Sequence, residues 1–287
     1  MNKTVSKLSR LLPDRLYVQL QYLSNHHRFP NLRNPQTLNE KVMWLKLYDH
    51  KAIYTTMVDK YAAKAYISKR VGDEYVVPTL GVWNNVEEID FGSLPQQFVL
   101  KWNHDSGGIV ICKDKESFDI EFAKKRLDKR KDNNGYWYGR EWPYKNVPHK
   151  IIAEEYLGEN LQDYRFYCYN GVPKYIYTYT NESFEDGSKP EPTHCDIYDC
   201  NWTPMAFRQK SPPRGNVERP LGLEKMLDCA KRLSMDAPLL RVDFYQIGER
   251  VYVGELTFFP GSGLTKFIPE EWDSILGSWL ILPEKYV

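Results

Sequence analysis

Near the C-terminus two apolar, β-rich runs, Leu239 to Tyr245 and Arg250 to Leu256, are separated only by Gln246-Ile247-Gly248-Glu249. A short polar span containing glycine suits a hairpin loop, so the two runs are expected to pair as antiparallel strands. That pairing sets Asp243 and Glu255 on adjacent strands, where side chains directly opposite stand roughly 5 Å apart at Cβ. Two carboxylates at that separation can share a divalent cation. Mg²⁺ is the natural occupant, a hard ion held by one or two carboxylates together with substrate phosphates. The pattern equally fits an exposed hairpin carrying two solvated acids, since strands bear isolated charges routinely.

Composition narrows the classes of function. The chain has 287 residues, 42% hydrophobic and 27% charged, as expected for a soluble globular protein of one large or two to three small units. A formal net charge of +1 gives no global attraction to nucleic acid, and no nucleic-acid partner is expected. Met1 to Arg10 contains basic residues but no apolar core of a secretory signal, and no apolar run is long enough to span a bilayer. Five cysteines, an odd number without C-x-x-C spacing, argue against a disulfide framework or structural zinc and for a reducing cytoplasm. His194, Cys195 and Cys200 lack a fourth soft-metal ligand.

Residues up to about Arg70 read as helical. Thr37-Leu38-Asn39-Glu40 has the form of a capping box before apolar residues at near-helical spacing, and Asp59 opens a second helical stretch. A strand over Gln97 to Trp102 runs into Asn103-His104-Asp105-Ser106-Gly107-Gly108, after which Ile109 to Ile111 resumes the strand pattern. Adjacent glycines let successive amide groups approach an anion, with Lys101 as a point charge beside them. A plain Gly-Gly turn has the same appearance. The basic residues between 124 and 131 read as a solvated helix face, and Asn133 to Arg140 as a mobile loop whose Tyr136, Trp137 and Arg140 are candidates to cover an acceptor sugar. Lys150 to Gly158 reads as a strand ending in Glu154 and Glu155, and Asp163 to Gly171 as another. Such a strand can present backbone groups to an adenine edge, with an acid at its end for ribose hydroxyls.

Taken in order, Lys101, Ser106-Gly107-Gly108, Glu154-Glu155-Tyr156-Leu157, Arg241-Val242-Asp243 and Glu255-Leu256-Thr257-Phe258-Phe259-Pro260-Gly261 resemble the nucleotide cleft of the ATP-grasp ligases. Over nearly the whole chain the text is similar to one branch of that superfamily, the TupA-like proteins, through Asn34-Pro35-Gln36-Thr37-Leu38-Asn39-Glu40-Lys41, Val58-Asp59-Lys60-Tyr61 and His104-Asp105-Ser106-Gly107-Gly108. The resemblance implies an α+β ATP-grasp fold, two α+β subdomains clamping ATP behind a helical N-terminal region. It suggests a division into 1–97, a lid over 98–157, and a metal-binding unit over 158–287.

The resemblance further implies ATP and Mg²⁺. Lys101, Ser106, Gly107, Gly108, Glu154, Glu155, Tyr156, Leu157, Asp163 and Arg165 would bind the nucleotide, while Asp243, Glu255 and Thr257 would hold metal. Arg241 and Lys101 would act on the reacting groups. Thr257 stands where the superfamily carries asparagine, and its hydroxyl is a poorer ligand than an amide carbonyl. The implied activity is ATP-driven amide formation between an amino acid and a uronic-acid carboxylate, through an acyl phosphate, in bacterial surface-polysaccharide biosynthesis. Partners would be the amino acid and an anionic sugar or polysaccharide, at the periphery of membrane biosynthetic machinery. Two alternatives are a glycosyltransferase of the same pathways, for which Asp196-Ile197-Tyr198-Asp199 has the wrong spacing for a D-x-D motif, and a silent ATP-binding module.

Overall fold

A computed structural model describes residues 9–159, 161–181, 194–215 and 217–285. The first eight residues, which bear on the absence of a signal, lie outside the described residues.

The N-terminal region is helical as expected: α1 (Asp14–His26), α2 (Leu38–Tyr48), α3 (Ile53–Val58) and α4 (Ala62–Val71). Helix α2 starts where its capping box directs. The Thr37 side chain accepts from the Glu40 amide, and the Glu40 carboxylate accepts from the Thr37 amide. Asp59 ends α3 and its carboxylate accepts from the amides of Tyr61 and Ala62, so it starts the next helix, as its position implied.

Two antiparallel sheets follow. The smaller has the order β1-β4-β2-β3, with β1 Thr79–Trp83, β2 Phe98–Trp102, β3 Val110–Cys112 and β4 Ile151–Glu155. Alternation along β2 and β4 sends Phe98, Leu100, Trp102, Ile151 and Ala153 into a private core with Ala123 and Leu127 of α5 (Ile120–Asp128). The opposite face carries Lys101 and Glu154. The larger sheet has the order β7-β6-β5-β8-β9, with β5 Leu161–Tyr169, β6 Val172–Asn181, β7 Asp196–Asp199, β8 Leu239–Ile247 and β9 Arg250–Thr257. One face, through Phe166, Cys168, Leu240, Val242 and Phe244, is buried under α7 (Leu223–Ser234), whose Leu223, Met226, Ala230 and Leu233 recur at helical spacing. Phe244 is fully buried against Phe166, so Phe244→Ala should cost about 3–5 kcal/mol. The other face carries the charged residues described below.

The segment over 133–140 departs from the expected mobile loop. It forms a one-turn helix, α6 (Gly135–Gly139), capped by Asn134. Arg140 is buried, its guanidinium 4.1 Å from the Tyr17 ring centroid and 2.9 Å from Asp14, and the Tyr136 hydroxyl donates to the same Asp14 at 2.8 Å. A desolvated arginine on aromatic faces and paired to a carboxylate locks the segment to α1. Tyr136 and Arg140 are thereby committed to packing, leaving Trp137 half-buried beside them. A last helix, α8 (Trp272–Trp279), closes the chain against α2.

Candidate active site

Asp243 and Glu255 lie on adjacent antiparallel strands as expected, and they pair directly, as do Arg241 and Thr257. A β-bulge follows at once, leaving Gly254 without a partner before Phe244 meets Val253. Because opposed residues share a face, two rows cross the sheet. One reads Glu255, Asp243, Arg165, Tyr177; the next reads Thr257, Arg241, Tyr167, Tyr175. Acids and bases thus alternate at the β9 side of the face, while the β6 side is aromatic.

Arg241 ties the rows together. Its Nε and Nη2 donate to the two oxygens of Asp243 at 2.7 Å each, and the same Nη2 donates to Glu255 Oε1 at 2.7 Å. Among the described residues its Nη1 makes no hydrogen bond. Arg165 grips Asp163 through Nε and Nη2 at 2.9 and 2.7 Å, lies 3.8 Å from Asp243, and rests over the Tyr179 ring at 4.3 Å. Asp163 and Arg165 are neighbours two apart on one strand. Thr257 donates to Glu255 Oε1 at 3.2 Å.

The electrostatics follow from burial. Desolvation is the largest influence on Asp243 and raises its pKa, aided by Asp163 and Glu255 and opposed by Arg241 and Arg165. Burial acts the same way on Glu255, yet Lys60, Arg241 and Arg165 outweigh it and hold that carboxyl well below the usual range. On the small sheet Glu154 is buried between Lys101, an ion pair at short range, and Lys64 at 2.7 Å. Those two lysines overcome desolvation and keep Glu154 below its ordinary pKa. Glu155 points to the opposite side of the strand and is exposed, while Tyr156 and Leu157 follow the strand end half-buried.

Lys60 and Lys64 were not anticipated as site residues. Lys60 lies in the α3–α4 turn with its Nζ 3.3 Å from Glu255, and Lys64 one helical turn on reaches Glu154. The same turn also anchors the Gly-rich loop. Lys60 Nζ donates to the Asp105 carbonyl at 3.0 Å, its amide to the Asn103 carbonyl at 3.1 Å, and Asn103 Nδ2 to Asp59 at 2.8 Å. Asp105 itself pairs with Arg130, which leaves the solvated face expected of the basic run. Gly107 and Gly108 have φ of +128° and +65°, and a Cβ on Gly108 would collide with the Arg130 side chain, so glycine is required twice. Beneath the loop His104 stacks on His149 at 3.6 Å, and burial, then His149, pulls its pKa down to about 4. The sequence signal for Lys60 lay inside Val58-Asp59-Lys60-Tyr61: a lysine beside a helix-capping aspartate in a turn.

A further lysine, Lys46, is fully buried. Lys46 donates to the Ser262 carbonyl and hydroxyl at 2.6 and 2.7 Å, and burial lowers its pKa to about 8 against the pull of Glu141. Glu141, raised by burial, also feels Arg241.

The donor set fits a hard cation. One guanidinium nitrogen lies 2.7 Å from an oxygen of each of Asp243 and Glu255, so both carboxylates address a single position, at slightly longer range than the roughly 2.0–2.6 Å bonds of a hard cation. Asp163 Oδ1, buried on the same face, has no hydrogen-bond partner among the described residues. Two acids would leave the remaining positions to phosphate and water, in keeping with the absence, among the described residues, of any group of three or more His, Cys, Asp or Glu arranged for a metal. Asp196 and Asp199 on β7 instead accept from backbone amides of Arg214, Gly215, Asn201 and Thr203.

The model of the TupA-like ATP-grasp family matches residues 40–281, most of the chain and every residue of both sheets. The chain belongs to that family. Its fold is accordingly the α+β ATP-grasp fold. Solved structures similar to this TupA-like ATP-grasp protein include D-alanine–D-alanine ligase from Bacillus anthracis complexed with ATP, at 14% identity and a TM-score of 0.43, covering 72% of this chain and 55% of that one. The VanG D-Ala:D-Ser ligase from Enterococcus faecalis is similar at 14% identity and 0.45, covering 79% and 56%. The ATP-grasp ligase PsnB complexed with minimal precursor is similar at 10% and 0.42, covering 72% and 54%. This chain therefore spans little more than half the length of those proteins. No curated protein matches it. All five cysteines are free thiols, and among the described residues no helix is long and apolar enough to cross a membrane.

Proposed function

We propose that this TupA-like protein is an ATP-dependent carboxylate–amine ligase that joins an amino acid to a uronic-acid carboxylate in the cytoplasm, in bacterial surface-polysaccharide biosynthesis. The observation that carries the reading is the opposed pair Asp243 and Glu255, bridged by a single nitrogen of Arg241 and faced by Lys60. The uronic acid and the polysaccharide pathway rest on the TupA-like resemblance alone.

Mg-ATP, when bound, supplies the phosphoryl group that turns an inert carboxylate into an acyl phosphate, with the metal offsetting charge on the transferring group. Asp243 and Glu255 would hold the cation, with Thr257 as a hydroxyl ligand or the anchor of a water. Lys101 and Lys60 would supply positive charge to the phosphates, and Arg165, Asp163 and the residues Glu154 to Leu157 would contribute to binding the nucleotide. Ser106, Gly107 and Gly108 offer amides to phosphate oxygens, while Arg130 and Lys60 hold the loop over the site so that water is excluded. Arg241 has Nη1 to spare for the oxyanion that develops as an amine attacks. The residues 98–157 act as the lid, and 158–287 as the metal-binding unit.

The test is ADP release by the purified protein with Mg²⁺, a panel of uronic-acid acceptors and the twenty amino acids, followed by product mass. Formation of an amide of the expected mass supports the ligase. Consumption of a nucleotide sugar without ADP release would establish a glycosyltransferase instead.

A further inference from the structure

Of the chain's 39 Lys and Arg, six precede residue 40 (Lys3, Lys7, Arg10, Arg15, Arg28 and Arg33), whereas Asp14 is the sole one of its 38 Asp and Glu to do so. This stretch therefore carries a formal +5 in a protein whose total is +1, so everything after it is net acidic. Its acid is withdrawn from the surface electrostatically, because Asp14 is paired to buried Arg140. Glu40, the next acid, is itself buried and paired to Arg28.

The same stretch leaves apolar surface uncovered. Helix α1 buries Val18 and Tyr22 against the protein and turns Leu16 and Leu20 outward at i and i+4, with Leu23 half-buried at i+7. Leu16 and Leu20 are each 42% exposed, and nearby Leu11 and Phe29 are 81% and 59% exposed. Arg15, His27 and Arg33, all exposed, lie in the same stretch of chain. Scattered apolar residues on a surface need no explanation, but a leucine stripe on one helix within a cationic, nearly acid-free segment is the pattern of an interfacial helix.

We propose that the outward face of α1 docks on an anionic lipid surface, with Leu11, Leu16 and Leu20 entering the headgroup boundary and the exposed Arg10, Arg15 and Arg33 adding attraction for lipid phosphates. A protein partner or a second copy of the chain would be served by the leucines alone; the excess of positive charge selects a negatively charged bilayer. Docking would hold the protein at the membrane surface through α1. The inference stands on surface chemistry and does not depend on the ligase reading.

The full chain should co-sediment with vesicles of phosphatidylglycerol and phosphatidylcholine but not with vesicles of phosphatidylcholine alone. Raising the salt should weaken binding, since charges of this kind act within a Debye length. Removing one basic side chain, as in Arg15→Gln, should weaken it about fivefold. Leu16→Glu with Leu20→Glu should abolish it while the thermal melt is unchanged, because both side chains already face water. No binding of the wild-type chain to anionic vesicles, or binding untouched by the double variant, overturns the proposal. So does self-association that the double variant removes in the absence of vesicle binding, which would assign the stripe to a second copy.

Discussion

Arg241→Met isolates the cation site from any question of substrate. The guanidinium is the shared partner of Asp243, whose side chain is 4% exposed, and Glu255, at 30%. Removing one partner from a buried ion pair costs about 3–5 kcal/mol, because the remaining charge is stranded. Glu255 keeps Lys60 at 3.3 Å and some solvent, so the lower end applies, about 3 kcal/mol. At roughly 2–3 °C per kcal/mol for a chain of this size, the melting temperature should fall by about 6–9 °C. If the two acids form a divalent-cation site, Mg²⁺ takes over the neutralising role. At a hundred times its dissociation constant an ion adds about 2.7 kcal/mol, enough to restore most of the loss. Differential scanning fluorimetry with and without Mg²⁺, at matched ionic strength, reads both effects. Wild-type protein should gain less from Mg²⁺ than the variant, since Arg241 already occupies the acids. A variant that melts like wild type, or equal Mg²⁺ shifts in the two, would refute the reasoning.

Three further outcomes are expected. Asp243→Asn and Glu255→Gln should each lower Mg-ATP turnover at least about a hundredfold with circular dichroism unchanged; wild-type turnover in either variant removes the metal role. Lys101→Ala should weaken nucleotide binding about tenfold or more, the worth of one charge-assisted hydrogen bond, while Glu154 retains Lys64; an unaltered affinity in calorimetry moves the phosphates elsewhere. Lys46, with a folded pKa of about 8 against an unfolded value near 10.4, has released its proton in the folded chain while the unfolded chain still holds it, so stability should rise with pH by about 2 kcal/mol between pH 8 and about 9.5. Urea melts of Lys46→Met should lack that rise, and parallel pH curves for the two proteins would show that the ammonium is not desolvated.

What the sequence showed and what it hid divide along the range of the interactions. The capping box of α2, the β2–β3 turn and the β8–β9 pairing are set by residues within a few positions of one another, and each was legible. That Asp243 and Glu255 lie on adjacent strands followed from strand patterning and a short loop, but their direct opposition depends on the bulge at Gly254, which nothing in the local pattern announces. Lys60 and Lys64 escaped notice because their partners, Glu255 and Glu154, lie on two different sheets distant in the chain, and a lysine in a helical stretch reads as solvated. Arg140 was misjudged for the same reason. Polar, glycine-containing text from Asn133 to Arg140 suggests a loop, but Asp14 and Tyr17, more than a hundred residues earlier, supply the carboxylate and ring that bury it. Arg130 likewise looked like one charge of a solvated run until Asp105 drew it onto the Gly-rich loop.

Charge balance gives the cleft its physical logic. Lys60, Lys64, Lys101, Arg165 and Arg241 face Glu154, Asp163, Asp243 and Glu255, five cations for four acids, and the ion pairs join them across both sheets through the α3–α4 turn. Such a cluster is nearly neutral alone, which allows it to remain buried without stranding a charge. A divalent cation at Asp243 and Glu255 would raise its excess from one positive charge to three, and that excess is available to a polyphosphate. On the proposed reading the acids would therefore do more than ligate. They let the protein fold around a dense set of lysines and arginines, whose attraction for phosphate would become strong only when metal and nucleotide arrive together. A cleft built from the cations alone would bind phosphates without metal and would have to bury their mutual repulsion.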